Sequence, residues 1–266
     1  MNVVCIGGGP GGLYAAILLK KSHPEWQIAV YERNRPDDTY GWGVVFSDQT
    51  MANLAEADQP SHDAIVDSFY HWDDVEVFFK DRAVRSGGHG FSGIGRMRLL
   101  MILHERAAEL GVDLHFETEV SGVEQFPDAD LIIAADGANS RIRTAHEAFF
   151  CPTITMRQCK FVWLGTYKKF DAFTFAFKET EWGWFQIHAY QFSEEMSTVI
   201  VETPEENWVA AGLDQMSAEE SIRWCEDLFA EYLDGHELIN NATHLKTPWL
   251  NFKHVLNEHW YHKNIL

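Results

Sequence analysis

Residues 5–16 read CIGGGPGGLYAA, with five glycines and one proline between an apolar run and a helical one. Upstream, Asn2 to Ile6 is a short β-branched run suited to a buried strand. Downstream, Leu13 to Lys21 places apolar residues at helical spacing. Gly7, Gly9 and Gly12 keep the G-x-G-x-x-G spacing within strand, turn and helix, with Pro10 and Gly11 inside the turn. Each glycine has a separate reason: a tight turn, close approach of backbone to a diphosphate, and tight packing of helix on strand. The diphosphate then lies on free N–H groups at the helix N-terminus. Gln27 to Tyr31 reads as a second strand, and Glu32 follows it, twenty residues beyond Gly12. An acid there accepts hydrogen bonds from ribose hydroxyls, so the turn predicts an adenine dinucleotide held by Gly7, Gly9, Pro10, Gly11, Gly12, Glu32 and the adjoining Arg33.

The rest of the composition limits what surrounds this turn. At 266 residues the chain can form one large or two modest domains, and 46% hydrophobic content suits a globular protein. A formal charge of −19 argues against a general binder of nucleic acid or of anionic membrane surfaces. No apolar run reaches membrane-spanning length and no secretion signal is evident, which predicts a cytoplasmic protein. Cys5, Cys151, Cys159 and Cys225 lack CxxC pairing and read as free thiols. His259-Trp260-Tyr261-His262 lacks the carboxylate or cysteine that would complete a metal set, so no metal is expected.

The turn does not separate NAD from FAD; segments downstream bear on that choice. Leu131 to Ala134 is another buried-strand run, followed by ADGANSRIRT, in which Asp136, Gly137, Ser140 and Arg143 form D-G-x-x-S-x-x-R. Read physically, this is equally an Asp-Gly turn starting a helix with Ser140 as its cap. Between the two motifs, Ile94, Arg96, Leu99 and Leu103 are spaced for one helical face, in a helix ending at Gly111. In this order the three segments resemble the FAD-dependent aromatic hydroxylases, single-component flavoprotein monooxygenases that consume NAD(P)H and O2. That resemblance implies an α/β fold: a Rossmann-like FAD-binding domain of aromatic-hydroxylase type with an antiparallel β-sheet substrate layer. It implies FAD contacts from Asp136 and Gly137, and from an arginine entering the helix, which is Arg96 by spacing with Arg98 as competitor. ERNRPDDTYGWGVVFSD (Glu32 to Asp48) and RSGGHGFSGIGR (Arg85 to Arg96) resemble the branch acting on aromatic CoA thioesters, salicylyl-CoA or 2-aminobenzoyl-CoA. GWGVV is also similar to a hydroxylase of a tryptophan-derived pigment precursor.

From about Lys160 the pattern changes. Phe161 to Tyr167, Phe173 to Lys178, Trp184 to Tyr190 and Thr198 to Glu202 are aromatic and β-branched stretches that predict an antiparallel sheet. Ser217 to Leu233 reads as an amphipathic helix. The expected organisation is a dinucleotide domain over 1–150 with an inserted segment at about 36–95, a substrate layer over 151–250, and a return to the first domain over 251–266. The resemblance makes Trp182, Trp184, Phe185, His188 and Tyr190 substrate-pocket candidates, although aromatic stripes on sheets also form plain core.

In the resembled family, reduced FAD forms a C4a-hydroperoxide whose distal oxygen passes to an electron-rich ring. An ortho hydroxy or amino group already activates that ring, so no strong base is demanded; His89, His188 and Tyr190 are the polar candidates for catalysis. A CoA thioester would need cations, for which Arg157, Lys160, Lys168 and Lys169 are candidates; lysines at a sheet edge also serve solubility. The family's later Gly-Asp motif is absent from the sequence, which predicts a fragment of a longer protein. An NAD-dependent reductase and a nucleotide-binding module without turnover remain alternative readings.

Overall fold

The computed structural model describes residues 1–39, 41–80, 82–241 and 248–266. In chain order the first elements are β1 (Asn2–Ile6), α1 (Pro10–Ser22), β2 (Gln27–Tyr31), β3 (Gly43–Ser47), α2 (Asp48–Ala57), α3 (Gln59–Val66), β4 (Tyr70–Trp72), β5 (Val75–Phe79), β6 (Arg82–Ser86), β7 (Phe91–Gly95), α4 (Arg96–Leu110) and β8 (Asp113–His115). They are followed by β9 (Leu131–Ala134), α5 (Arg141–Ala145), α6 (Glu147–Phe150), β10 (Pro152–Thr166), β11 (Phe173–Thr180), β12 (Gly183–Gln191), β13 (Ser197–Pro204), α7 (Glu205–Ala210), α8 (Ala218–Leu233) and β14 (Leu250–Asn257).

The nucleotide-type layer is a parallel sheet in the order β8-β2-β1-β9. Alternate residues of β1 enter two different cores. Val3 and Cys5 pack with α1 and α4, whereas Val4 and Ile6 pack with Ile132, Ile142 and Phe150. A strand covered on both faces must be apolar throughout, which is why Asn2 to Ile6 reads as one unbroken run. The final residues extend the sheet beyond β9: Ile132 donates to the Asn264 carbonyl at 2.8 Å, and Leu266 donates to the Ile132 carbonyl at 2.8 Å.

The second layer is a seven-stranded sheet in the order β14-β10-β13-β12-β11-β5-β6, antiparallel except where β5 runs alongside β11. The antiparallel layer expected from the aromatic stretches is therefore present. One of its faces is closed by α8, whose Cys225, Phe229 and Leu233 pack on Val162, Phe185, Ile187 and Val201. Ser217 caps that helix with a reciprocal box to Glu220. Three sequence expectations shift. Part of segment 36–95, read as an insertion in the first domain, supplies β5 and β6 to the second sheet, and residues 250–257 pair with β10 there. Ile94, placed by spacing on the helix, belongs to β7, and α4 begins at Arg96. The heptad-like spacing ran through a strand-to-helix junction that apolar residues alone do not mark.

A third sheet, β3-β7-β4, joins the two layers. Its entry is Gly41-Trp42-Gly43, and the sterics explain the two glycines. A Cβ on Gly41 would enter the Trp163 ring and one on Gly43 would enter Phe192. On β10 of the second sheet, a Cβ on Gly165 would come within 2.7 Å of the Trp42 ring. The segment that carried much of the family likeness is thus a close-packed crossing of backbone and indole. Among the described residues, no helix is long and apolar enough to cross a membrane.

Candidate active site

The glycine turn lies at the carboxyl edge of β1, where parallel sheets open toward ligands. Gly7 has φ +109, and a Cβ there would enter the Ala135 carbonyl; a Cβ on Gly12 would enter the Gly7 carbonyl. These two glycines are required by packing of turn, helix and β9. Gly9 differs: a Cβ there would meet nothing within 4 Å, so its backbone faces open space. Pro10 is the first residue of α1, and Leu13 N–H makes the first helical bond, 3.0 Å to the Gly9 carbonyl. The amides of Gly11 and Gly12 precede that ladder.

Glu32 stands beside the turn. Its carboxylate accepts from Gly8 N–H at 2.8 Å and from Asn34 N–H at 2.9 Å. The turn and the end of β2 are thereby tied through one acid, with lone pairs left for a ligand. A cavity of 210 Å³ on one side is lined by Gly7, Gly9, Glu32, Arg33, Asp136 and Gly137. Another of 570 Å³ on the other side is lined by Gly9, Glu32, Arg33, Thr39, Arg96, His104 and Asn241. Gly9, Glu32 and Arg33 belong to both, so the two are halves of one cleft.

Arg96 opens α4 at the floor of the larger half. Its N–H donates to the Trp42 carbonyl at 2.8 Å and its Nε to Thr39 Oγ1 at 3.0 Å. Arg98, the competitor by sequence, instead points to Ser68 Oγ at 3.1 Å and does not line the cleft. Asp136 caps the start of α5 through one oxygen, accepting from Arg141 N–H at 2.8 Å; its other oxygen is buried without a partner. Ser140 caps the helix, as the Asp-Gly turn predicts, accepting from Arg143 N–H at 2.9 Å. Asp136 therefore does both: it fixes the helix start and leaves an unused acceptor in the cleft. Pro10 and Gly11 also border an apolar recess with Tyr14, Leu54 and Leu99.

An adenine dinucleotide fits these features. The open backbone at Gly9, the paired acid at Glu32, the unpartnered Asp136 Oδ1 and the unpartnered His104 Nε2 line one continuous cleft. Burial lowers the His104 pKa, with Glu32 opposing, so the ring is held neutral. Sequence reading missed His104, yet the signal was available: Arg96, Leu100 and His104 recur every fourth residue on one face of α4. Asn241 carried no such signal. It holds Gly41 by two bonds, 3.2 and 2.6 Å, across 200 residues of sequence.

The five residues expected to form a substrate pocket divide between the two faces of the second sheet. Phe185 is fully buried under α8 with its ring 4.9 Å from Trp224, and Trp182 packs on the same Trp224 at 6.0 Å. Both were pocket candidates, and both belong to the helix-covered core. Alternation along β12 explains Phe185, which shares parity with Ile187 and Ala189, while Trp184, His188 and Tyr190 face the other way; Trp182 precedes the strand and reaches Trp224 from the turn. Trp184 stacks on Phe79 at 5.3 Å near the sheet edge. Tyr190 donates its hydroxyl to the Gly43 carbonyl at 2.7 Å, and burial pushes its pKa up to about 12, so it is fixed as a neutral donor. His188 lies 6.1 Å from Phe173 and 6.0 Å from Phe175, ring to ring. His89 sits apart on an exposed turn, bonded to Ser86 Oγ at 2.7 Å. The basic cluster splits. Lys160 lies over Trp208 and bonds Asn251 Oδ1 at 2.6 Å. Lys168 pairs with Asp234 and, with Lys169, Lys80 and Arg82, lines a 730 Å³ cavity at the sheet edge.

A parallel layer with a glycine turn and ribose-type acid, joined to an antiparallel aromatic sheet, defines a two-layer protein with a dinucleotide-type cleft. Comparison with known proteins gives the family. No protein-family model matches the sequence. A salicyloyl-CoA 5-hydroxylase of a Streptomyces species is 44% identical over 260 residues, covering 95% of this chain and 50% of that protein. Protodeoxyviolaceinate monooxygenase of Chromobacterium violaceum is 31% identical over 258 residues, covering 95% of the chain and 67% of that protein. The fold is also that of 2-methyl-3-hydroxypyridine-5-carboxylic acid oxygenase, with a TM-score of 0.79 at 18% identity over 99% of this chain and 73% of that one. The chain belongs to the FAD-dependent aromatic monooxygenases. It spans about half the length of the salicyloyl-CoA 5-hydroxylase that it matches.

Proposed function

We propose that the protein carrying this chain is a monooxygenase that uses FAD, NAD(P)H and O2 to hydroxylate an aromatic ring presented as a CoA thioester, salicylyl-CoA or 2-aminobenzoyl-CoA. The observation that supports this best is the joint between the two parts of the site. Trp42 accepts from Arg96 N–H of the dinucleotide cleft, and the next residue, Gly43, accepts from Tyr190 of the aromatic face. One rigid crossing thus sets the distance between cleft and sheet. The 44% identity to a salicyloyl-CoA 5-hydroxylase supports the thioester.

In this reading Gly7, Gly9 and Gly12 shape the diphosphate seat, and Glu32 receives the adenosine ribose hydroxyls while holding Gly8 and Asn34. Arg96 supplies a cation to the remainder of the dinucleotide, and Asp136 accepts a hydrogen bond through its unused oxygen. Bound FAD would supply the hydride acceptor for NAD(P)H and the site of oxygen activation. The sheet's aromatic face orients the substrate ring and keeps water from it. Oxygen uptake and NADH or NADPH oxidation by the FAD-loaded protein test the reading. Stimulation by one of the two thioesters over the free acids is expected, and equal rates with thioesters, free acids and no substrate would refute it.

A further inference from the structure

The aromatic sheet face carries one polar island. His188 on β12 and Glu202 on β13 lie diagonally across the strand pair, with Gln186 directly opposite Glu202 and Ile200 opposite His188. Glu202 Oε2 accepts from Gln186 Nε2 at 2.7 Å and lies 3.5 Å from His188 Nδ1. Both side chains of the His–Glu pair are only 20% exposed. The surroundings are apolar: β11 presents Phe173 and Phe175 to the imidazole. The titratable groups facing it are Glu202 from β13 and, behind Glu202, Cys159 of β10, whose pKa is raised by burial and by Glu202.

A solvated cross-strand pair would need no explanation, but a half-buried carboxylate on an aromatic floor is costly unless held. Here it is held. The hydrogen bond from His188 lowers the Glu202 carboxyl below its ordinary range, against the effect of burial and with help from Gln186. A carboxylate at Nδ1 fixes the tautomer with its proton there and leaves the Nε2 lone pair to act. Among the described residues, nothing bonds Nε2.

We propose that His188, oriented by Glu202 and Gln186, accepts the proton of a ring hydroxyl on the substrate. The inference rests on the thioester reading above and chooses within it: the ring carries a hydroxyl, as in salicylyl, rather than an amino group. The substrate O–H bond breaks and an N–H bond forms at Nε2, giving imidazolium and phenolate with no change of oxidation state. The phenolate's electron pair then raises electron density at the carbon para to it, the position where oxygen is added. A free phenol near pKa 10 and an imidazole near 6.5 are mismatched. An imidazolium beside the phenolate lowers the phenol by about 1–3 units, which brings its ionisation within reach of neutral pH. Glu202 is then a positioning residue that stabilises the imidazolium. An amine ortho to the thioester is already neutral and electron-donating, and needs no such acceptor.

The test uses the salicylyl thioester of N-acetylcysteamine bound to the protein, with the phenolate absorbance band followed against pH. The apparent pKa of the bound phenol should fall by roughly 1–3 units from its free value in the unaltered protein. It should return to the free value in His188→Asn and rise about tenfold in proton affinity in Glu202→Gln. Because the second variant is isosteric and is read by the same titration, the result does not hang on the first one folding. An unshifted phenol in the unaltered protein, or a shift that persists in His188→Asn, overturns the dyad while leaving the thioester reading in place. Failure of the unaltered protein to bind either this thioester or its 2-aminobenzoyl counterpart overturns both. Tight binding and faster turnover of the 2-aminobenzoyl thioester alone overturns the dyad only.

Discussion

Asp58 offers the sharpest test of how the dinucleotide cleft is held. It is fully buried, yet it accepts Arg106 Nε at 2.9 Å, Arg106 Nη2 at 2.9 Å and Ser61 Oγ at 2.8 Å, with Lys21 Nζ 3.3 Å away. Lys21 lies in the last turn of α1, the helix that begins at the glycine turn, and Arg106 lies in α4, the helix that begins at Arg96. One carboxylate therefore ties the far ends of both cleft helices. Burial raises its pKa, but the bonds from Arg106, Ser61 and Lys21 outweigh it and bring the carboxyl from 3.8 to about 2. A depressed folded value means stability that is complete above pH 3.8 and is lost as pH falls toward 2. At 1.36 kcal/mol per unit, the difference of about 1.8 units amounts to ~2.4 kcal/mol, of which about half is gone by pH 3. Removing Arg106 is worse, because the charge stays buried without its main partner: Arg106→Met should cost about 3–5 kcal/mol at pH 7. Urea unfolding followed by circular dichroism, at pH 7, 5 and 3, measures both. The unaltered protein should lose about 1 kcal/mol more than Asp58→Asn between pH 5 and 3. A loss below about 1 kcal/mol in Arg106→Met, or equal acid sensitivity in Asp58→Asn, would refute the reasoning.

Other consequences follow from the same geometry. Glu32→Ala should weaken FAD binding by about 1–3 kcal/mol, roughly five- to 150-fold, in a flavin fluorescence titration; unchanged affinity removes Glu32 from the ribose. Gly165→Ala places a methyl within 2.7 Å of the Trp42 ring and should cost about 1–3 kcal/mol in denaturant melts, because the crossing strand has no room to retreat. Tyr190→Phe leaves the buried Gly43 carbonyl without its donor and should lose about 1–3 kcal/mol of stability, measured the same way. Phe185→Ala should cost about 3–5 kcal/mol with thioester affinity unchanged at temperatures where the protein remains folded, as befits a core side chain rather than a pocket wall.

Local rules account for what could be read along the chain. The unbroken apolar run of β1, the glycine turn and the acid after β2 are one covalent unit of about thirty residues. Their spacing dictates strand, turn, helix and strand without reference to anything distant. The aromatic alternation that predicts β11, β12 and β13 is local for the same reason: a strand with one closed face must repeat every second residue. What the alternation does not say is which parity meets the helix. Phe185 and His188 were equally eligible, and only docking of α8 sent Phe185 into the core and left His188 beside Glu202. The choice of Arg96 over Arg98 is of the same kind, since two residues differ by 200° around a helix and only the packed neighbours define the inside. Tertiary structure alone decided the longest-range features. Asn241 holds Gly41, Thr198 accepts Gly43 N–H at 2.9 Å, and Asp58 gathers cations from two helices. Such contacts join residues that no periodicity links, and they exist because burial leaves a polar group no solvent partner and the fold must supply one.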